Sequence, residues 1–168
     1  MIQKIIFNLA CVLAIVGVAL ATFGVAHADF TGLVVMVSDG DTIKVRDRCG
    51  NLRTVRMLGI DAPEKKQAHG QESRAALTTM VSGKRVYVRS SSKDKYGRDL
   101  GKVIYAKQDI NLQQIKAGNA WHYKAYEATQ AEKDRLSYSA AENAARANLA
   151  GLWGNVEHIA PWEFRNLK

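Results

Sequence analysis

The stretch "RMLGIDAPE" (residues 56–64) runs an apolar segment straight into two acids, Asp61 and Glu64, set around Pro63. Upstream, "DGDT" (residues 39–42) adds Asp39 and Asp41. Clustered carboxylates repel one another and persist where a hard cation or a basic group neutralises them. A carboxylate beside a reacting water can also take its proton. The available ligand set is oxygen only. His27, His69, His122 and His158 are scattered without zinc-type spacing, and carboxylates with backbone carbonyls suit Ca²⁺ or Mg²⁺. Each motif alone is also ordinary structure: "DGD" is a common turn and "DAPE" a common helix-entry loop.

Two arginines add to the acids. Arg56 stands five residues before Asp61, and Arg98 follows "DKYG". A cation with two guanidinium groups can clamp a phosphodiester, whose charge grows on the non-bridging oxygens during attack.

These residues need elements to bring them together. "FTGLVVMV" (30–37) is β-branched and reads as a strand, "TIKVRD" alternates apolar and charged residues, and "LRTVRMLGI" (52–60) is a third strand after the turn "RCGN". A meander of this kind makes the second and third strands antiparallel neighbours, so Asp41 can face Asp61. Residues 69–83 switch to helical spacing, with Gly83 as a stop. "KRVYVRS" and "RDLGKVIYA" are two further strands joined by a charged loop. The last third is helical: residues 110–118, then 129–151, where Thr129 and Glu132 have capping-box spacing. The order β-β-β-α-β-β-α-α predicts an α+β domain, a five-stranded OB-fold barrel with three helices.

The motifs "DGDTIKV", "VRMLGIDAPE" and "DKYGRDLGKV", in this order and layout, resemble the staphylococcal nuclease family, over roughly residues 30–153. The resemblance implies a Ca²⁺-dependent phosphodiesterase that cuts DNA and RNA and leaves 3′-phosphates. It implies that Asp41, Asp61 and the carbonyl of Ala62 hold the metal, that Glu64 acts on the water, and that Arg56 and Arg98 clamp the phosphate. Lys95 and Tyr96 fall where the family contacts a terminal phosphate. Ala62 stands where the family prototype has threonine, a change of little weight if only the carbonyl binds metal. The segment "KKQAHG" after "DAPE" is shorter than the prototype's basic loop. Trp121, Tyr123 and Tyr126 in "AWHYKAY" can stack on a base or pack in the core. The alternative is a non-catalytic nucleic-acid-binding module. Members of that kind lack the acids and arginines, and here all five charged residues are present.

The chain's bulk properties agree. It has 168 residues, 47% of them apolar, a formal charge of +8 and a pI near 9.6. That is one globular domain with a surface suited to polyanions. Residues 1–28 read as a secretory signal: Lys4, an apolar run, then "AHA" before a cut after Ala28. The mature protein, residues 29–168, is then expected to be secreted or periplasmic and monomeric. The alternative is a membrane anchor over residues 5–26. Removing the leader takes away Lys4 and Cys11. The mature charge falls to +7, and Cys49 is left as an unpaired surface thiol in a turn.

Overall fold

The computed structural model describes residues 28–155 and 158–167. The expected signal segment, ahead of its Ala28 boundary, lies outside the described residues.

Three strands open the fold: β1 (Phe30–Val37), β2 (Thr42–Asp47) and β3 (Leu52–Met57). They pair antiparallel in sequence order, with Thr42 opposite Arg56 and Val34 opposite Val45. Alternation carries the packing. Ile43, Val45 and Val55 are fully buried while the residues between them face outward. A two-residue strand, β4 (Ile60–Asp61), follows. After α1 (Gly70–Val81) come β5 (Arg85–Lys93) and β6 (Asp99–Tyr105). Strand β5 pairs with β1 and β6, and β6 returns to pair parallel with β3. That last pairing closes a five-stranded barrel, the expected OB-type architecture. Its interior holds Val34, Met57, Val86, Val88 and Val103, capped by Leu77 of α1. Burying each such side chain contributes about 1.5–3 kcal/mol.

The edge strand β7 (Gln108–Asp109) leads into α2 (Ile110–Lys116), whose N-terminus is capped by the Asp109 carboxylate accepting from Leu112 N–H. Strand β8 (Trp121–His122), a 3₁₀ turn over Lys124–Thr129 and α3 (Glu132–Ala147) complete the larger core, with Tyr138 buried beside Ile110 and Ile115. A second 3₁₀ turn (Gly151–Gly154) and the short α4 (Pro161–Asn166) end the chain. A second apolar cluster gathers Trp121, Ala145, Leu152, Trp153 and Ala160. No helix among the described residues is long and apolar enough to cross a membrane.

Three expectations need correction. The third strand does not run unbroken to residue 60. It stops at Met57, turns at Leu58–Gly59 and resumes as β4, which pairs with β8 rather than with the barrel. Gly59 makes the break possible: it has φ 77°, and a Cβ there would lie 1.8 Å from Gln130 Nε2. The Thr129–Glu132 capping box does not form. Thr129 Oγ1 donates to the Tyr126 carbonyl, closing the 3₁₀ turn, and α3 starts at Glu132 without a side-chain cap. To the three expected helices the structure adds α4.

Candidate active site

The turn between β1 and β2 places Asp41 at the mouth of the barrel. Gly40 lets that turn press onto its neighbours. A Cβ at Gly40 would sit 1.9 Å from Ser73 Oγ on α1 and 2.6 Å from Ala62 Cβ, so no side chain fits there. The Gly40 carbonyl also accepts from buried Gln114 Nε2 at 2.7 Å. Asp41 is then held on all sides. Its Oδ1 accepts from Thr42 Oγ1 at 3.0 Å and its Oδ2 from Ala62 N–H at 2.7 Å.

The break after β3 delivers the other acids. Turning the chain at Leu58–Gly59 brings Asp61 back beside Arg56 on the preceding strand. Arg56 Nη2 lies 2.7 Å from Asp61 Oδ1, and Nη1 lies 3.1 Å from Asp41 Oδ2. Nη1 also donates to the carbonyls of Met57 and Ile60, at 3.1 and 2.8 Å. One planar guanidinium thus bridges two buried carboxylates and is locked by the backbone beneath it. Pro63 then takes the chain off the strand. Glu64 follows at the entrance to α1, its N–H donating to Gln67 Oε1 at 3.0 Å.

Burial pushes the Asp41 carboxyl up to about 7; Arg56 opposes this, while Asp39 and Asp61 add to it.

Arg98 sits across the opening, immediately before β6. Its Nε donates to Asp94 Oδ2 at 2.7 Å, and Asp94 Oδ1 accepts the backbone N–H groups of Tyr96 and Arg98. Burial alone would raise the Asp94 carboxyl, but the hydrogen bonds from Arg98 and the turn hold it below its usual range. The same turn carries Lys95 and the exposed Tyr96. The Lys95 ammonium and the Arg98 guanidinium lie 5.1 and 5.5 Å from the Tyr96 ring centroid.

The charged and backbone candidates Asp41, Arg56, Asp61, Ala62, Glu64, Lys95 and Arg98, with Tyr96, all line one cavity of about 700 Å³. Tyr123 and Tyr126 line it as well. Trp121 does not. It is buried in the second apolar cluster, edge-on to Trp153 at 5.1 Å, and is a packing residue. A neighbouring cavity of about 610 Å³ lies against Trp121, Tyr123 and Trp162. Its cations Lys124 and Arg146 are already paired with the buried Glu142.

Two functional candidates escaped sequence reasoning. Asp94 orients Arg98, and its signal was the turn pattern "DKYG", with Asp first and Gly97 at φ 77°. Arg165 of α4 reaches the acids from the far end of the chain, with Nη2 2.7 Å from Asp61 Oδ2 and Nη1 2.9 Å from Glu64 Oε1. No local pattern marks it.

The donor chemistry fits a hard divalent cation. Asp41 and Asp61 offer carboxylate oxygens, with Asp39 and Glu64 lining the same cavity, and oxygen donors of this kind suit such an ion. Among the described residues no three His, Cys, Asp or Glu side chains gather to hold a metal by themselves. The Ala62 carbonyl and water would have to complete the shell.

Comparison with known proteins agrees with this geometry. Residues 54–155 match the profile of the family described as staphylococcal nuclease homologue. The chain is 40% identical over 143 residues to an uncharacterized endonuclease of Escherichia coli, covering 84% of this chain and 88% of the relative. It is 42% identical over 132 residues to an uncharacterized endonuclease of Haemophilus influenzae, covering 79% and 71%. It is 36% identical over 150 residues to a micrococcal nuclease of Shigella flexneri, covering 83% of each. The chain belongs to the staphylococcal nuclease family, and its enzymatic class is that of a nuclease.

Proposed function

We propose that this nuclease is a Ca²⁺-dependent endonuclease that hydrolyses DNA and RNA to 3′-phosphate ends, working as a secreted or periplasmic monomer. The observation that carries the reading is the convergence of Asp41, Asp61, Glu64, Arg56 and Arg98 on one cavity. Asp41, Asp61 and the Ala62 carbonyl would hold the metal, which when bound supplies positive charge beside the scissile phosphate.

The chain's own residues do the rest. Glu64 accepts a proton from the attacking water, the water oxygen forms a bond to phosphorus in line, and the P–O5′ bond opposite breaks, the 5′-oxygen taking a proton from solvent. Arg56 and Arg98 donate to the non-bridging oxygens as their charge grows. Arg56 is fixed for this by the Met57 and Ile60 carbonyls, and Arg98 by Asp94. Lys95 and Tyr96 sit at the rim, where an adjoining phosphate would pass. Tyr123 and Tyr126, 5.5 Å apart between ring centroids, offer faces on which a base can stack. A net positive surface draws the polyanion in.

Incubating residues 29–168 with plasmid DNA and with RNA, in Ca²⁺ and in EGTA, tests the reading. Cleavage of both substrates in Ca²⁺ and of neither in EGTA is expected. Binding without cleavage under every condition would instead favour a non-catalytic module.

A further inference from the structure

Helix α4 lays a guanidinium across acids that the proposed reaction needs free. Arg165 Nη2 is 2.7 Å from Asp61 Oδ2, and Nη1 is 3.3 Å from Asp61 Oδ1 and 2.9 Å from Glu64 Oε1. A single planar fork therefore spans the proposed metal ligand and the proposed base, in the geometry that guanidinium groups use for carboxylates.

The helix is anchored on the walls of the same site. Trp162 packs on Tyr123 and Trp121, with ring centroids 5.4 and 6.4 Å away. The Ile159 carbonyl accepts from Gln67 Nε2 at 2.5 Å, and Gln67 Oε1 in turn accepts from Glu64 N–H. The segment thus grips the loop that carries Glu64. Its hold is modest, however. Six residues are too few for a helix to be stable alone, and the Arg165 side chain stays 42% exposed.

The two arginines at the acids differ in kind. Arg56 is 15% exposed and bonded to two backbone carbonyls as well as to Asp41 and Asp61. The hydrogen bonds of Arg165 go to the two carboxylates Asp61 and Glu64. An incoming cation that shares Asp61 would displace the weaker-held of the two.

We propose that Arg165 is a tethered cation that competes with the divalent metal for Asp61 while it holds Glu64, so that α4 gates metal loading. The proposal rests on the reading that Asp61 is a metal ligand. With Arg165 in place, both Asp61 oxygens are hydrogen-bonded by guanidinium groups and Glu64 is engaged. Metal binding at Asp61 costs those contacts and frees Glu64 to serve the water.

Calorimetric Ca²⁺ titration of residues 29–168 tests this, alongside the variants Arg165→Gln, Arg165→Lys, Lys95→Gln and Asp61→Asn. Arg165→Gln is expected to bind Ca²⁺ about 5- to 20-fold more tightly than wild type, the worth of lost charge-assisted hydrogen bonds to a competitor. Arg165→Lys, which keeps the charge and loses the fork, should fall between. Lys95→Gln removes a charge from the cavity rim without touching the acids and should tighten binding much less. Tryptophan emission should shift on Ca²⁺ addition in wild type as Trp162 moves, and should already be shifted in Arg165→Gln. Unchanged or weaker Ca²⁺ affinity in both Arg165 variants overturns the gate, and so does equal tightening in Lys95→Gln. If Asp61→Asn binds Ca²⁺ as well as wild type, the metal site itself is wrong and the gate falls with it.

Discussion

Arg56 and Asp61 are joined across the Leu58–Gly59 turn, Nη2 to Oδ1 at 2.7 Å, while the same guanidinium reaches Asp41 Oδ2 at 3.1 Å. The barrel's third strand and the acid-bearing loop after it are therefore tied into one unit by a single side chain. Removing that side chain leaves two buried carboxylates without their shared partner. Arg56→Ala should destabilise the metal-free domain by roughly 3–5 kcal/mol, the range for breaking a buried pair by removing one partner. Added Ca²⁺ should restore part of the loss by mass action. Thermal unfolding in EGTA and in millimolar Ca²⁺ checks both halves of this expectation.

The raised Asp41 carboxyl has a pH consequence. Its folded-state pKa is about 7 against an ordinary 3.8, through burial opposed by Arg56. The folded state therefore prefers the protonated form. The stability that goes with it is fully present below the ordinary pKa and is lost as pH rises through about 7. In EGTA, wild type should melt at lower temperature at pH 8 than at pH 5. Asp41→Asn should be flatter over that window and more stable than wild type at pH 8. A wild-type Tm no lower at pH 8 than at pH 5 would argue that Asp41 is already charge-compensated.

Gly40 is a steric prediction. A methyl group there meets Ser73 Oγ at 1.9 Å and Ala62 Cβ at 2.6 Å. Gly40→Ala should lower stability by about 1–3 kcal/mol, as overpacking does, and should weaken Ca²⁺ binding by shifting Asp41. Gly50, where a Cβ meets nothing within 4 Å, gives the contrast. Gly50→Ala acts only through its φ of 85° and should leave Ca²⁺ binding unchanged.

Arg98→Lys should be nearly as damaging as truncation, because an ammonium cannot copy the planar fork. Turnover should fall on the order of 10²-fold, the worth of one transition-state donor. Asp94→Asn, which removes the Arg98 partner at 2.7 Å, should give a smaller loss of the same sign. Single-turnover cleavage rates decide the ranking.

The barrel was legible because its strands alternate cleanly: buried Ile43 and Val45 and buried Val86 and Val88 stand two apart. The acids and arginines were legible because three motifs fix them locally. What was hidden depends on distant pairing. Arg165 lies in the short helix that begins at Pro161, about a hundred residues from its partners, and nothing near it in sequence announces a site. Trp121 was ambiguous because aromatic residues that stack on a base and those that fill a core are the same residues. The Thr129 capping signal was real in spacing but was overridden. Gln130, between the two, is buried and bonded to His122 at 3.0 Å, which forces an extended residue where the helix would have begun. The break at Gly59 did carry a signal, a glycine inside a strand pattern.

The most direct measurement separates the two acids of "DAPE". Calorimetric Ca²⁺ affinity and single-turnover cleavage would be determined for Asp61→Ala and Glu64→Gln. Asp61→Ala should bind Ca²⁺ far more weakly and recover part of its activity at high Ca²⁺. Glu64→Gln should retain Ca²⁺ binding, at wild-type affinity or tighter because its Arg165 contact is weakened, yet lose about 10²–10⁴-fold in cleavage, the usual worth of general-base help. Normal cleavage by Glu64→Gln, or wild-type Ca²⁺ affinity in Asp61→Ala, would contradict the assignment of base and metal ligand.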